Sequence, residues 1–137
     1  MKTLICILLS ALMLTACQSK TVAGETVTVA GGSYQNITPD ELNSMSEDKD
    51  FVFVNVHIPF AGNISNTDLS IPYDQINSPE YLNQLPTDNN AKIVLYCRSG
   101  RMSEIAATEL VALGYSNIWN LDGGMVAWEQ AGYEIEK

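Results

Sequence analysis

Short apolar runs separated by helical segments constrain the fold of this chain more than any other feature of its sequence. Phe51–Val56 is one such run, and Lys92–Tyr96 and Ile118–Leu121 are two more. Runs of this length and composition are typical of strands that are buried on both faces of a sheet. Because helical segments alternate with them, we predict an α/β fold, with a central parallel β-sheet that helices flank on both faces.

The starts of two helices are indicated by the residues around them. Thr38 is a suitable N-cap, Pro39 fits the first helical position and Glu41 completes a capping box. A helix is therefore predicted from Pro39 to about Met45. A longer helix is predicted from about Ser103, where apolar residues begin to recur at helical spacing.

The N-terminus has the pattern of a secretion signal. A positively charged start precedes the apolar segment Leu4–Leu14, which is too short to cross a bilayer. Small residues then precede Cys17, a pattern that resembles the lipobox of bacterial lipoproteins. We expect residues 1–16 to be a cleaved signal peptide, Cys17 to carry lipid, residues 17–34 to form the lipidated N-terminus and a flexible tether, and residues 35–137 to form the domain. Within the tether, Val27–Val29 is expected to form a short edge strand.

This N-terminal pattern also predicts where the protein resides. The resemblance to lipoproteins implies a lipid-anchored protein of the cell envelope, on the periplasmic face and at the outer membrane if the cell is Gram-negative. The alternative is an ordinary signal peptide that ends near a cysteine by chance.

Cysteine usage leaves a single thiol in the predicted domain. Of the 3 cysteines, Cys6 would leave with the signal and Cys17 would be joined to lipid. Cys97 therefore has no partner for an internal disulfide. A free thiol in an oxidising compartment is either buried or used chemically. Cys97 is thus either a small buried apolar residue or a reactive nucleophile.

The charge of the chain limits its partners. Its formal net charge is −9, with 7 Lys and Arg residues against 16 Asp and Glu. An acidic surface disfavours nucleic acid and electrostatic binding to anionic lipid, so contact with a membrane is expected through the lipid alone. Arg98 and Arg101 follow Cys97 closely against this background, which predicts a site for a small anion.

The segment around Cys97 carries the predicted chemistry. Six residues, Cys97–Met102, are expected between the end of a strand and the start of the helix near Ser103. Backbone N–H groups of such a loop and the N-terminus of the helix favour a thiolate over a thiol. Gly100 permits tight curvature, the two arginines supply cations for an anionic substrate, and Ser99 and Ser103 supply hydroxyl donors.

Three stretches of the sequence resemble the rhodanese family of sulfurtransferases. They are the Cys-Arg-Ser-Gly-Arg loop after a buried strand, the triplet Leu113–Tyr115, and the segment Leu121–Tyr133, which looks like the C-terminal signature of the family. The resemblance covers residues 37–135. It implies a compact α/β domain whose cysteine accepts sulfane sulfur from an anionic donor such as thiosulfate and passes it to cyanide or a thiol.

The resemblance also implies roles for particular residues. Cys97 would be the nucleophile that carries a persulfide, and no metal or organic cofactor is implied. The cradle for the sulfur and the anion would be formed by Arg98, Ser99, Gly100, Arg101, Met102 and Ser103. The expected partners are a small anionic sulfur donor and a thiol or cyanide acceptor, without nucleic acid.

Two segments depart from the family pattern. Asn55–His57 replaces the usual Asp-Val-Arg, which removes an expected ion pair, and Gly62–Thr67 replaces the usual Gly-His-Ile-Pro-Gly-Ala. His57 is the only histidine. It either lines the rim of the pocket or hydrogen-bonds backbone and faces solvent. We expect these changes to alter donor and acceptor specificity rather than the fold.

Two other functions remain alternatives. A rhodanese-like domain can act as a binding or sulfur-carrier module in which the cysteine is not catalytic. A cysteine-based phosphatase or arsenate reductase is the second alternative. That chemistry commonly uses an arginine six positions after the cysteine, whereas position 103 of this chain is serine.

Overall fold

A six-stranded β-sheet lies at the centre of residues 21–137, the part of the chain that the computed structural model describes. The strands are β1 (Glu25–Val29), β2 (Gly32–Ile37), β3 (Val52–Asn55), β4 (Leu69–Ser70), β5 (Ile93–Tyr96) and β6 (Ile118–Leu121). They lie in the order β1-β2-β6-β5-β3-β4. β1 is antiparallel to β2 and the other neighbouring pairs are parallel, so the predicted central parallel sheet is confirmed.

Helices cover both faces of this sheet, as predicted. Within residues 21–137 they are α1 (Pro39–Ser46), α2 (Pro79–Leu82), α3 (Arg101–Ala112) and α4 (Gly124–Gln130), with a 3-10 turn at Tyr73–Gln75. Side chains of α1 and α4 pack on one face, and side chains of α2 and α3 pack on the other. Of the helices in these residues, none is long and apolar enough to cross a membrane.

Side chains of β5 alternate between two hydrophobic cores. Ile93 and Leu95 belong to the core beneath α2 and α3, whereas Val94 and Tyr96 belong to the core beneath α1 and α4. Because successive side chains of a strand point to opposite faces, a strand covered on both faces is apolar at every position. Cys97 continues the alternation and packs in the core on the α3 side.

The predicted capping box is present at the start of α1. The Glu41 N–H donates to the hydroxyl oxygen of Thr38 at 3.2 Å, and the Thr38 N–H donates to the Glu41 carboxylate at 2.8 Å. These two bonds satisfy backbone donors that a helix start leaves without partners, and they fix the turn from β2 into α1.

An N-terminal hairpin lies within the predicted tether. The expected edge strand at Val27–Val29 is confirmed as part of β1, and β1 pairs with β2 in an antiparallel hairpin that the sequence did not predict. Val27 and Val29 pack against the α3-side core, where Tyr34 is buried. This burial depends on the pairing of β2 with β6, a contact between distant segments that local sequence does not reveal. The predicted signal peptide, residues 1–16, and the predicted lipidation site, Cys17, lie outside the described residues.

Candidate active site

The loop that carries Cys97 is shorter than predicted. β5 ends at Tyr96 and α3 begins at Arg101, so the loop comprises Cys97–Gly100 rather than six residues. Gly100 is the N-cap of α3 with a φ of +107°, a conformation that residues with a side chain rarely adopt. Its carbonyl oxygen accepts a bond from the Glu104 N–H at 3.0 Å, and the helix therefore starts two residues before Ser103.

The Cys97 sulfur is buried among hydrogen-bond donors. The residue is 1% exposed, and the Gly100 N–H donates to its Sγ at 3.0 Å. The Ser103 hydroxyl oxygen lies 3.4 Å from the same Sγ and 3.0 Å from the Gly100 carbonyl oxygen. Because this hydroxyl has one proton, it can donate to the carbonyl or turn to the sulfur when the sulfur carries negative charge. Both donors stabilise a thiolate.

The start of α4 fixes the orientation of the loop peptides. The Met125 N–H donates to the Cys97 carbonyl oxygen and the Val126 N–H donates to the Arg98 carbonyl oxygen, each at 2.9 Å. In a trans peptide the C=O and the following N–H point in opposite directions. The N–H groups of Arg98 and Ser99 therefore point away from α4, as donors for a bound anion.

Gly124 permits this close approach of α4 to the loop. Its φ is +57°, and an added Cβ would contact the Cys97 carbonyl oxygen directly and lie 2.7 Å from the Arg98 carbonyl oxygen. A side chain at position 124 would therefore separate the helix from the loop. The Gly-Gly pair of the C-terminal signature thus has a steric function at the candidate site.

The two arginines line different grooves, and the expectation that they hold one anion together stays a prediction. Arg98 is exposed and lines a groove of about 260 Å³. Arg101 is exposed in the first turn of α3 and lines a separate groove with Tyr34 and Glu104.

The remaining predicted loop residues differ in burial. Ser99 is exposed, Gly100 is buried, and Ser103 is fully buried beneath the loop. Met102 is half-buried and packs against the α3-side core. Gly100 and Ser103 thus contact the Cys97 sulfur, whereas the Met102 side chain packs between α3 and the sheet.

His57 follows β3 and lies close enough to Arg98 to respond to its charge. Burial and, to a smaller extent, the positive charge of Arg98 lower the pKa of the His57 imidazole below 6.5. The backbone N–H of His57 donates to the Asn55 side-chain oxygen at 2.9 Å. His57 is thus a half-buried residue near the Cys97 loop, and the role of its side chain at the rim of the pocket stays a prediction.

Asn55 links the two segments that depart from the family pattern. It is 2% exposed, and its Nδ2 donates to the Gly62 carbonyl oxygen at 3.0 Å and to the Asn63 side-chain oxygen at 2.9 Å. Its oxygen accepts the His57 N–H. An aspartate could not donate these two bonds. The sequence signal for this contact was that Asn55 and Gly62–Thr67 depart from the pattern together.

Tyr96 holds the same loop from the strand that precedes Cys97. Its hydroxyl oxygen accepts the Ile64 N–H at 3.0 Å, and it lies 2.7 Å from the Thr67 hydroxyl. The side chain is fully buried, and burial raises the pKa of the Tyr96 phenol above 10.0. The chain segment 62–67 is therefore fixed from β3 by Asn55 and from β5 by Tyr96.

The buried cysteine lies between a central strand of a mostly parallel sheet and a helix, and one backbone N–H and one serine hydroxyl are directed at its sulfur. This arrangement defines a thiol-dependent class of domain. The chain belongs to the Rhodanese-like domain family, whose profile matches residues 38–131. This match confirms the resemblance that the cysteine loop and the C-terminal segment indicated.

Named relatives and a solved structure agree with this family. The chain is 36% identical over 110 residues to the probable adenylyltransferase/sulfurtransferase MoeZ of Mycobacterium tuberculosis, covering 78% of this chain and 27% of that protein. It is 31% identical over 93 residues to a sulfurtransferase of Allochromatium vinosum, covering 66% of this chain and 83% of the relative. A rhodanese-like domain protein from Staphylococcus aureus matches with a TM-score of 0.60 and 34% identity over 74% of this chain and 98% of its own.

The chain spans 27% to 61% of the length of the first curated relatives that it matches. Those relatives include tRNA uridine(34) hydroxylases as well as proteins named sulfurtransferase. Membership of the family therefore indicates sulfurtransferase-type chemistry, and the particular reaction has to be argued from the residues of this chain.

Proposed function

We propose that this protein is a sulfurtransferase that carries sulfane sulfur as a persulfide on Cys97. The observation that carries this proposal is the pair of donors on the sulfur, the Gly100 N–H at 3.0 Å and the Ser103 hydroxyl at 3.4 Å. Such donors stabilise the thiolate that attacks the donor, and they remain available to the same Sγ once a second sulfur is attached.

The first half-reaction transfers sulfur from an anionic donor such as thiosulfate. The Cys97 thiolate attacks the outer sulfur, a bond forms between Sγ and that sulfur, and the bond to the sulfonate group breaks. Sulfite leaves with the bonding electron pair, and Cys97 is left as a persulfide anion. The N–H groups of Arg98 and Ser99, together with the Arg98 side chain, oppose the negative charge of the sulfonate during this step.

The second half-reaction returns the thiolate. Cyanide or a thiolate attacks the outer sulfur of the persulfide, and the electron pair of the S–S bond stays on Sγ. The sulfur is held covalently throughout, so we propose that no metal or organic cofactor takes part. The partners are then a small anionic donor and a thiol or cyanide acceptor.

The surroundings of Cys97 argue against the two alternatives. A cysteine-based phosphatase commonly has an arginine six positions after the cysteine, where its charge stabilises the phosphate oxygens. In this chain that position is Ser103, whose buried hydroxyl contacts the sulfur. A binding module whose cysteine is not catalytic needs no hydrogen-bond donors at the sulfur. In this chain two donors contact Sγ, and hydrogen bonds from α4 fix the peptides of the loop.

Intact mass spectrometry of the purified full-length chain tests this proposal. Incubation with thiosulfate is expected to add one sulfur atom, which cyanide removes as thiocyanate. The Cys97→Ser variant, shown to be folded by circular dichroism, is expected to gain none. Absence of an adduct with thiosulfate, polysulfide and mercaptopyruvate would overturn the proposal.

We further propose that Cys17 anchors the protein in the cell envelope through lipid, with the domain on the periplasmic side. The support is the charged start, the apolar segment and the small residues before Cys17. The Cys17→Ser variant is expected to accumulate as an unlipidated precursor in membrane fractions. Processing of that variant to the same mature mass as the wild type would contradict the anchor and leave the sulfur chemistry unaffected.

A further inference from the structure

Tyr73 lies on the side of the sheet that the Cys97 sulfur faces. The Val56 N–H donates to the Tyr96 carbonyl oxygen at 2.9 Å, and the Tyr73 N–H donates to the Val56 carbonyl oxygen at 3.1 Å. The segments that carry Cys97, Val56 and Tyr73 are therefore neighbours at one edge of the sheet. The first and the last are two strand spacings apart, or about 10 Å. All three side chains pack in the α3-side core.

The hydroxyl of Tyr73 has no partner among residues 21–137. The hydroxyls of Tyr96 and Tyr133 are hydrogen-bonded, whereas the half-buried Tyr73 forms no such bond with these residues. The buried side-chain oxygens that lack a partner in this part of the chain belong to other residues, so the Tyr73 oxygen is open to solvent. The ring is thus packed, while the O–H is able to donate to a ligand.

The backbone of the Cys97 loop offers donors on the same side. α4 holds the carbonyl oxygens of Cys97 and Arg98, so the N–H groups of Arg98 and Ser99 point away from α4. α4 packs on the face opposite α3, and the turn Tyr73–Gln75 contacts α3. An anion that reaches the sulfur from the α3 side therefore lies between the loop N–H groups and the Tyr73 hydroxyl.

Two other tyrosines of the α3-side core, Tyr34 and Tyr81, are less suited to an anion at Cys97. Burial, and then the negative charges of Glu104 and Asp122, raise the pKa of the Tyr34 phenol above 10.0. The same two carboxylates repel an anion. Tyr81 lies in α2, and within residues 21–137 its backbone N–H bonds only to the turn before that helix.

We propose that the Tyr73 hydroxyl donates a hydrogen bond to the sulfonate of the sulfur donor, which makes Tyr73 a specificity-determining residue for anionic donors. This proposal rests on the sulfur transfer proposed above. The phenol keeps its proton throughout, while the bond from the outer sulfur to the sulfonate breaks and sulfite leaves with the electron pair. The hydrogen bond holds the sulfonate beside the loop so that the outer sulfur meets Sγ.

Single-turnover formation of the persulfide on the full-length chain tests this role. Intact mass is followed over time at increasing thiosulfate concentrations in the wild type and in Tyr73→Phe, which keeps the packed ring and removes the hydroxyl. Loss of a hydrogen bond to a charged group is expected to raise the half-saturating concentration about tenfold. The maximum rate is expected to stay nearly unchanged, because the lost bond serves binding.

Alkylation of Cys97 gives a second readout that does not depend on sulfur transfer. Iodoacetate and iodoacetamide are nearly equal in size, but only iodoacetate carries a negative charge beside the reacting carbon. Tyr73→Phe is expected to slow alkylation by iodoacetate at least about threefold and to leave the rate with iodoacetamide unchanged. A general loosening of the core would change both rates together.

Two further variants serve as controls. Tyr81→Phe makes the same chemical change in the same core and is expected to leave the half-saturating thiosulfate concentration and both alkylation rates unchanged. Asp74 is the exposed acidic neighbour of Tyr73 and opposes a bound anion. Asp74→Asn is expected to lower the half-saturating concentration about twofold or less, the effect of an exposed charge.

An unchanged half-saturating thiosulfate concentration in Tyr73→Phe, or an unchanged ratio of the two alkylation rates, would overturn the proposal. So would an equal effect of Tyr81→Phe. If no donor forms a persulfide on the wild type, the proposed function fails, and the ratio of alkylation rates alone then decides whether Tyr73 binds an anion at Cys97.

Discussion

The backbone N–H of Met125 donates a hydrogen bond to the carbonyl oxygen of Cys97 at 2.9 Å. The residue proposed to carry sulfur is therefore held by α4, an element nearly thirty positions later in the chain. The contact requires that position 124 has no side chain, because a Cβ there would meet the Cys97 carbonyl oxygen. The first prediction tests this relationship.

Gly124→Ala is expected to push α4 away from the loop that carries Cys97. Overpacking and the positive φ of +57° together are expected to lower the free energy of unfolding by about 3 kcal/mol. Displacement of the loop amides is expected to slow persulfide formation from thiosulfate at least about tenfold, since small misplacements at a reacting centre are costly. Chemical denaturation and time-resolved intact mass measure the two effects.

Gly132→Ala is the matched control for Gly124→Ala. Gly132 follows α4 with a φ of +93°, and an added Cβ would have no neighbour within 4 Å. It is expected to destabilise by about 1–2 kcal/mol through backbone strain alone and to form persulfide at the wild-type rate. Equal rates in the two folded variants would contradict a positioning role for Gly124.

Ser103→Ala is expected to reduce the reactivity of Cys97. The variant removes the hydroxyl that lies 3.4 Å from Sγ, and a hydrogen bond to a charged group contributes about 1.5 kcal/mol, or about tenfold. Alkylation by iodoacetamide at pH 7 is therefore expected to slow about tenfold. Ser99→Ala, at an exposed position of the same loop, serves as the control. Wild-type alkylation of Ser103→Ala would show that the hydroxyl does not support the thiolate.

Asn55→Asp restores the acid that the family pattern has, yet it is expected to destabilise this chain. At neutral pH its carboxylate would face two acceptors, the Gly62 carbonyl oxygen and the Asn63 side-chain oxygen, at a site that is 2% exposed. The expected loss at pH 7 is about 3 kcal/mol.

This loss is expected to depend on pH. Burial beside acceptors raises the pKa of an introduced carboxyl above its unfolded value of about 3.9, so the protonated form can donate again at low pH. The deficit relative to wild type should be smallest below about pH 3.9, where the carboxyl O–H replaces one of the two amide donors, and it should grow as pH rises. Urea titrations at pH 3.5 and pH 7 measure it, and a deficit that is the same at both would refute the hydrogen-bond explanation.

Tyr96→Phe is expected to release the segment 62–67 from β5. The Ile64 N–H would lose its acceptor at 3.0 Å in a buried position, which costs about 1–3 kcal/mol. Because burial raises the pKa of Tyr96 above 10.0, wild-type stability should fall as pH rises through 10.0, where the unfolded phenol ionises first. The variant should lack this alkaline component, and identical alkaline profiles would exclude Tyr96 as its source.

His57 is expected to make the protein less stable in mild acid. Burial and the Arg98 charge lower its pKa below 6.5, so the unfolded chain takes up the proton first as pH falls. Stability is fully present above about pH 6.5 and is lost as pH falls from there through the folded pKa. His57→Asn should show a smaller decrease in Tm between pH 7 and pH 5 than wild type. Arg98→Gln should show an intermediate one, and an unchanged decrease in His57→Asn would exclude this residue.

The elements that could be predicted from sequence are those with local causes. The apolar runs around Phe53 and Val94 indicated strands buried on both faces, and Thr38 with Glu41 indicated the start of α1. The position of Cys97 between a strand and a helix also followed from local pattern.

Features that depend on contacts between distant segments were missed. An edge strand at Val27–Val29 was expected, but its pairing with β2 and the pairing of β2 with β6 were not. Asn55 donates to Gly62, a residue of a later loop that meets β3 only in the folded chain. The length of the Cys97 loop depends on a positive φ at Gly100. Residue types and spacing do not determine such angles.

The burial of Cys97 has a consequence for how the protein survives oxidation. Mixed disulfides form when a thiolate meets the sulfur of another molecule in line, which needs space around both sulfurs. A sulfur that is 1% exposed is closed to a protein-sized disulfide. In the proposed reaction, the outer sulfur of the persulfide is the atom that an acceptor must reach. Burial of Cys97 therefore protects the resting thiol from mixed disulfides with other proteins.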